Sequence, residues 1–239
     1  MVRHQEPRRT TAAYRAKRGW SEMARASTDE GATAARPFDP AAREGEILGK
    51  PQRLAPLELR DCDGDARAFA DEMSESMGNP KGSEISPMYR LFFRHFPLFR
   101  RTMDMAVQLL ARGELSARER ELIIMRTTWL CGAPNPYGEH VEMSRSIGIP
   151  EEDLRRVTIG STAPGWSEHE RNMLKAVEEL CEGQAVSDAV WDALARGWTD
   201  KQQIEFPAVV GQYIASAIMH NALRTRMSGR NKGLAQFAA

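Results

Sequence analysis

The chain is poor in the residues that would make its chemistry easy to read. It has three cysteines, Cys62, Cys131 and Cys181, far apart and odd in number. No CxxC, zinc spacing or disulfide framework can be assembled from them, which fits a reducing compartment. Charge of one sign is missing too: 33 Lys and Arg balance 33 Asp and Glu. The whole molecule therefore offers no electrostatic case for nucleic acid or an anionic membrane. The longest apolar run, PAVVGQYIASAIM at 207–219, is too short to cross a bilayer and carries Gln212 and Ser216. The charged N-terminus lacks the apolar segment of a secretory signal. A cytoplasmic protein without membrane or nucleic-acid partners is the expectation.

What is present divides at about residue 45. Residues 1–44 are rich in Arg and Ala, show no sustained apolar periodicity, and are expected to form a flexible basic arm. RRTTAAYRAKRGWSEMARAS within it could form a basic helix, and its Arg-rich start faintly resembles an organelle transit peptide. Tyr14 and Trp20 could dock the arm on a neighbouring subunit. Residues 45–239 form the predicted domain, helical throughout from residue 62. DARAFADEMSESMG is a short helix ended by Gly78, and PMYRLFFRHF and PLFRRTMDMAVQLLARG are two more, with Pro97 opening the second and Gly113 closing it. Ser116 and Glu119 form a capping box for a helix through Leu130, and Ser167/Glu170 and Thr199/Gln202 open two others. Pro134 and Pro136 break the chain ahead of a helix from Tyr137 to Ile147, and PEEDLRRV begins a short helix on Pro150. Ser187 opens DAVWDALARG, and the last helix runs to about Arg226. No stretch alternates with period two while also being rich in β-branched residues, so strands are not needed. The predicted class is all-α.

The stretch ELIIMRTTWLCGAPNPYGEHVEMSRSIGIP, residues 121–150, carries the candidate chemistry. On a helix Glu121 shares a face with Ile124, Met125 and Thr128. Arg126 is the only other charged residue before Leu130, so this helix is expected to be buried on most sides. A carboxylate there loses its hydration and needs a cation or donor to offset the cost. His140 shares the inward face of the next helix with Tyr137, Val141, Ser144 and Ile147. Two helices joined by so short a connection usually lie antiparallel, so Glu121 and His140 can meet. That pairing suits general acid–base chemistry, because imidazole titrates near neutrality and a carboxylate can orient it. It also suits a plain buried histidine satisfied by a glutamate. Arg126 is either a structural ion-pair partner or a clamp for a substrate carboxylate. Met125, Thr128, Trp129 and Tyr137 are candidates for a pocket lining, or for plain core.

The segment LSARERELIIMRTTWLCGAPNPYGEHVEMSRSIGIPEEDLRRV resembles the carboxymuconolactone decarboxylase superfamily, which includes the alkyl hydroperoxidase D-like proteins. The shared features are a Leu-x-x-Arg-Glu-Arg-Glu-Leu lead-in, an apolar helix bearing an Arg, and a Tyr-x-x-His helix followed by Gly. LFFRHFPLFRRTMDMAVQLL resembles the helical segment ahead of this core, so the likeness extends over about residues 55–225. It implies an all-helical fold that assembles as homo-oligomers, often trimers or multiples of them. It also implies family site residues falling on Glu121 and His140, which in the decarboxylase branch shuttle protons while an unsaturated lactone acid loses carbon dioxide. In the peroxidase branch a CxxC pair does the redox work; its positions, counted back from His140, hold Ala133 and Pro136 here, so both thiols are absent. Asn135 and Pro136 stand where relatives often have Tyr-Glu or a cysteine, which makes that corner of the pocket this chain's own.

Cys131 is the remaining thiol near this segment. It ends an apolar helix, where the dipole disfavours a thiolate, and is expected to be a packing residue, with Cys62 and Cys181 too distant in sequence to be assumed close. His95 between two phenylalanines is expected to pack or cap, and His169 to sit in an exposed first turn. His220, seven residues after Tyr213, makes a stripe expected to line a core or a subunit interface. No histidines have metal-ligand spacing, and neither a metal nor a cofactor is expected. Three functions stay open: a cofactor-independent lyase or isomerase acting on a small organic acid, lactone or unsaturated carbonyl through Glu121 and His140; a thiol-dependent peroxidase using Cys131; and a non-catalytic helical oligomer.

Overall fold

The computed structural model describes residues 39–76 and 80–237. The arm expected over 1–44, with Tyr14 and Trp20, lies outside these up to residue 38, as does the expected helix stop at Gly78. Asp39 starts the described chain by accepting hydrogen bonds from the backbone of Ala41 and Ala42 at 2.9 and 3.1 Å. It thereby caps α1 (Pro40–Leu48), whose first residue is a proline that needs no donor there. This helix runs across residue 45, where the composition changes.

Helices α2 (Gly64–Ser76) and α3 (Pro87–Phe92), a 3₁₀ turn (Phe93–His95) and α4 (Phe96–Ala111) follow. They share an aromatic cluster in which Phe69, Phe93, Phe96 and Phe99 meet edge to face at 5.4 to 6.3 Å. His95 caps α4, its Nδ1 accepting the Leu98 N–H at 3.4 Å, as its position predicts. The remaining helices are α5 (Ala117–Leu130), α6 (Pro134–Ser146), α7 (Glu151–Ile159), α8 (Glu168–Gly183), α9 (Asp188–Ala195) and α10 (Asp200–Leu223). Among the described residues there is no strand. All three capping boxes read from the sequence are formed, at α5, α8 and α10.

Two boundaries differ from expectation, and a helix that opens where expected lacks a side-chain cap. Helix α6 begins on Pro134 rather than Tyr137, because the first turn of a helix has no use for the donors that Pro134 and Pro136 lack. Helix α10 stops at Leu223, where Arg224 turns left-handed at φ 54°. Ser187 precedes α9 without capping it; its hydroxyl and N–H go to the Glu179 carboxylate at 3.0 and 2.7 Å.

Helix α5 lies at the centre, packed by α6, α7, α8 and α10. Leu122, Ile123, Ile124 and Met125 are fully buried, so every face of one turn is covered. The hydroxyls of Thr127 and Thr128 donate back to the carbonyls of Ile123 and Ile124, both at 2.8 Å, which satisfies them within the helix. Arg126 joins three elements. Its guanidinium donates to Glu178 of α8 at 3.0 Å and to the carbonyls of Val157 and Thr158, at the end of α7, at 3.0 and 2.9 Å. Glu178 in turn accepts from the N–H and hydroxyl of Ser161.

Gly160 sits against this junction at φ 100° and ψ −153°, a conformation open essentially to glycine alone. A methyl group there would stand 2.2 Å from both the Arg126 guanidinium and the Glu178 carboxylate. Gly160→Ala is therefore expected to lower unfolding stability by about 1–3 kcal/mol or more, read as the midpoint of chemical denaturation. A loss of under about 0.5 kcal/mol, the scale of an ordinary surface change, would mean that the junction yields easily.

Candidate functional site

The hairpin of α5 and α6 brings the two predicted residues together. Gly132 turns the connection at φ 54°, and the side chain of Asn221 on α10 donates to the carbonyls of Cys131 and Gly132 at 3.3 and 3.2 Å. Glu121 near the start of α5 then faces His140 in the middle of α6, with Oε2 2.7 Å from Nδ1. The pair is buried, the carboxylate side chain at 1% exposure and the imidazole at 8%. The other carboxylate oxygen, Oε1, accepts from Nε of Arg120 at 3.3 Å. A carboxylate so enclosed is held by two donors. Tyr213 of α10 meets the imidazole edge-on at 4.8 Å and 89°, which fixes the ring from the other side. Burial, with the Glu121 charge second, pushes the Tyr213 phenol above its ordinary range.

His140 lines a half-open cavity of about 320 Å³ between α3, the 3₁₀ turn, α4, α6 and α10. One wall is apolar, from Phe92, Phe99, Leu110 and Met143; the polar lining includes Asn135, Gln212 and His220. With Nδ1 held by Glu121, Nε2 is the nitrogen of His140 that remains for a bound molecule. If Nδ1 donates to the Glu121 carboxylate, the lone pair of the neutral ring lies on Nε2.

The other sequence candidates fall elsewhere. Met125 is fully buried and accepts the Ser144 hydroxyl on its sulfur at 3.4 Å. Thr128 is spent on the α5 backbone. Trp129 and Tyr137 pack ring on ring at 5.2 Å, with the Tyr137 phenol pushed up by burial. None of the four lines the cavity. They are inner faces of the hairpin, and helical spacing alone does not separate a face turned to a pocket from one turned to a neighbouring helix. Arg126 is consumed by Glu178 and the end of α7, with nothing left for a substrate clamp.

Two arrangements were beyond the sequence. Cys131 and Cys181, far apart in sequence, bring their half-buried thiols close enough for each to shift the other's titration. That approach lowers the Cys131 thiol from its ordinary value against the opposing effect of burial, and raises its partner. The stripe of Tyr213 and His220 lines the cavity, where a core or subunit interface was expected. Burial alone depresses His220 to about 4, so it is neutral around pH 7. The tail after α10 adds Asn231, whose amide donates to the Asn135 carbonyl at 2.7 Å and to Glu139 at 3.0 Å. Gly138 makes room for it, since a Cβ there would stand 1.7 Å from Asn231 Oδ1. Among the described residues no cluster of His, Cys, Asp or Glu is arranged to hold a metal, and no helix is long and apolar enough to cross a membrane.

Residues 97–179 match the model of the carboxymuconolactone decarboxylase family. No curated protein matches the chain in sequence. Among solved structures, the chain is similar to an AhpD-core, peroxidase-related protein from Ralstonia eutropha, with TM-score 0.64 and 21% identity over 75% of this chain and 94% of that one. It is similar also to a peroxidase-related protein from a Silicibacter species, with TM-score 0.63 and 15% identity over 76% and 96%. A third is the debrominase Bmp8, with TM-score 0.63 and 13% identity over 76% and 95%. At these identities the likeness shows the fold alone. The matched segment takes in α5, α6 and the Glu121–His140 pair, and the chain shares the helical fold of these AhpD-like proteins.

Proposed function

We propose that the protein is a cofactor-independent proton-transfer enzyme, a lyase or isomerase acting on a small carbonyl compound such as a lactone, an unsaturated acid or an enolisable ketone. The observation that carries this is the buried 2.7 Å contact between Glu121 and His140 at the wall of a cavity. His140 Nε2 takes a proton from the carbon next to the substrate carbonyl. Glu121 holds the ring in the required tautomer and stabilises the imidazolium that forms. The same nitrogen returns the proton at a second carbon, or protonates the carbanion left when carbon dioxide departs. Self-association as a trimer or a multiple of it belongs to the same proposal. Exposed Ile204 and Ile218 on α10, at 73% and 63% exposure, are apolar surface that a second copy could cover.

The contact between Cys131 and Cys181 favours one second reading, a thiol peroxidase. The Cys131 thiolate would attack the terminal oxygen of an organic hydroperoxide, releasing the alcohol and leaving a sulfenic acid. The Cys181 thiol would condense with it to a disulfide and water, and an external dithiol would restore both thiols. Neither thiol lines the cavity that His140 faces, which is why this reading stands second.

Turnover of a panel of lactones, unsaturated acids and enolisable ketones tests the first reading. His140→Ala and Glu121→Gln are each expected to cost about 10²- to 10⁴-fold in kcat, the range of a lost acid–base group, in proteins that are destabilised but still fold. Unfolding of both variants would make the pair structural and remove the reading's support. Hydroperoxide consumption with dithiothreitol tests the second: it requires turnover that vanishes in Cys131→Ser and a sulfenic acid that accumulates in Cys181→Ser. Equal consumption by all three proteins would dispose of it.

A further inference from the structure

His220 is nine-tenths buried, yet its Nδ1 has no hydrogen-bond partner. Its ring packs edge-on against Phe92 at 5.2 Å and lines the same cavity as His140. Buried polar atoms are nearly always paired, so an unpaired nitrogen on a ring that lines a cavity needs an explanation; the atom is covered by protein, and a turn of the ring would bring it to a ligand's polar group. A second such atom lies in the same lining. Asn135 spends its amide NH₂ on the Arg226 carbonyl at 2.8 Å, while its own Oδ1 is buried and unpaired.

The charge around the cavity narrows what that ligand can be. Among the described residues no Lys or Arg lines it, and the one carboxylate that does, Glu139, would repel an anion. The guanidinium beside the Glu121–His140 pair is committed, Arg120 to Glu121. A carboxylate entering this space would lose its hydration and meet no cation in exchange.

We propose that the cavity selects an uncharged, mainly apolar carbonyl compound, and that His220 is its binding residue for a second polar group, a hydroxyl or carbonyl, at the end remote from His140. Tyr213, in contact with His140, and His220 lie seven residues apart on α10, about 10 Å along its axis. The ligand is therefore a molecule with polar groups at both ends of an apolar body, and Phe92 and Phe99 flank that body. A neutral imidazole has one N–H and one lone pair, so it serves either kind of group. This narrows the proton-transfer reading and rests on it for the chemistry, but not for the binding. Organic acids drop out of the substrate class, and with them the decarboxylation form of that reading.

Binding of three probes at pH 6.5, measured by calorimetry, separates the possibilities: 4-hydroxyacetophenone, acetophenone and 4-acetylbenzoate. The wild type is expected to bind the hydroxy ketone at least about tenfold more tightly than the benzoate, which must be desolvated without a counter-charge. His220→Phe should weaken the hydroxy ketone by about five- to tenfold, one hydrogen bond's worth, and change acetophenone by less than about twofold. His220→Gln, which keeps a donor and an acceptor, should recover part of the loss. Binding of the benzoate as tightly as the hydroxy ketone overturns the proposal, and so does wild-type affinity of His220→Phe for both ketones. Absence of saturable binding by either ketone overturns it too. If His220→Phe fails to fold, the comparison of hydroxy ketone with benzoate on the wild type still decides. Deuterium incorporation at the acetyl group of bound probe in D₂O, compared between wild type and His140→Ala, reports on proton transfer separately. Selective binding without His140-dependent exchange would sink the proton-transfer reading and leave the binding inference standing.

Discussion

Helix α5 is enclosed by four other helices, and each polar group it carries has to be answered inside the protein. Thr127 and Thr128 answer themselves through the backbone one turn back. Arg126 draws in the end of α7 and the middle of α8, and so fixes the helix on one side. Glu121 draws in His140 and Arg120 on the other. The same requirement that ties the core together therefore also sets the candidate site: a carboxylate that must be paired in the interior finds an imidazole that lines a cavity.

The cavity on that side is built from parts that do not belong to the hairpin. Helices α3 and α4 bring an aromatic wall, α10 brings Tyr213 and His220, and the tail strap through Asn231 holds the first turns of α6 in place. Two ends of one cavity thus have different chemistry. At one end an imidazole is held by orienting partners; at the other a neutral imidazole and an amide oxygen lack partners. Such an asymmetry suits a molecule that reacts at one end and is recognised at the other.

Much of this was legible in the sequence because it is local. Capping boxes at Ser116, Ser167 and Thr199 state where helices begin, and the short connection after Cys131 makes α5 and α6 antiparallel neighbours, so the approach of Glu121 to His140 follows from spacing. What was not legible depends on which helix covers which face. Met125, Thr128, Trp129 and Tyr137 have the spacing of an inward face, but that face is closed by packing, and the opening lies toward α3, α4 and α10. Tyr213 and His220 showed a shared face without revealing that it turns to the same space as His140. The meeting of Cys131 with Cys181 joins the end of α5 to the end of α8, and no periodicity within either helix points to it. The prolines of α6 misplaced its start for a simpler reason: a residue that breaks a helix interior is well suited to its first turn.

The central claim is that Glu121 holds His140 with the proton on Nδ1 and the lone pair on Nε2, turned to the cavity. Nitrogen-15 NMR of the imidazole ring at a pH where His140 is neutral observes this directly. The account expects a pyrrole-like Nδ1 and a pyridine-like Nε2 in the wild type, with the preference weakened in Glu121→Gln. A proton resting on Nε2 in the wild type, with Nδ1 accepting from a protonated Glu121, would contradict it, since the nitrogen facing the substrate would then have no lone pair to act as a base.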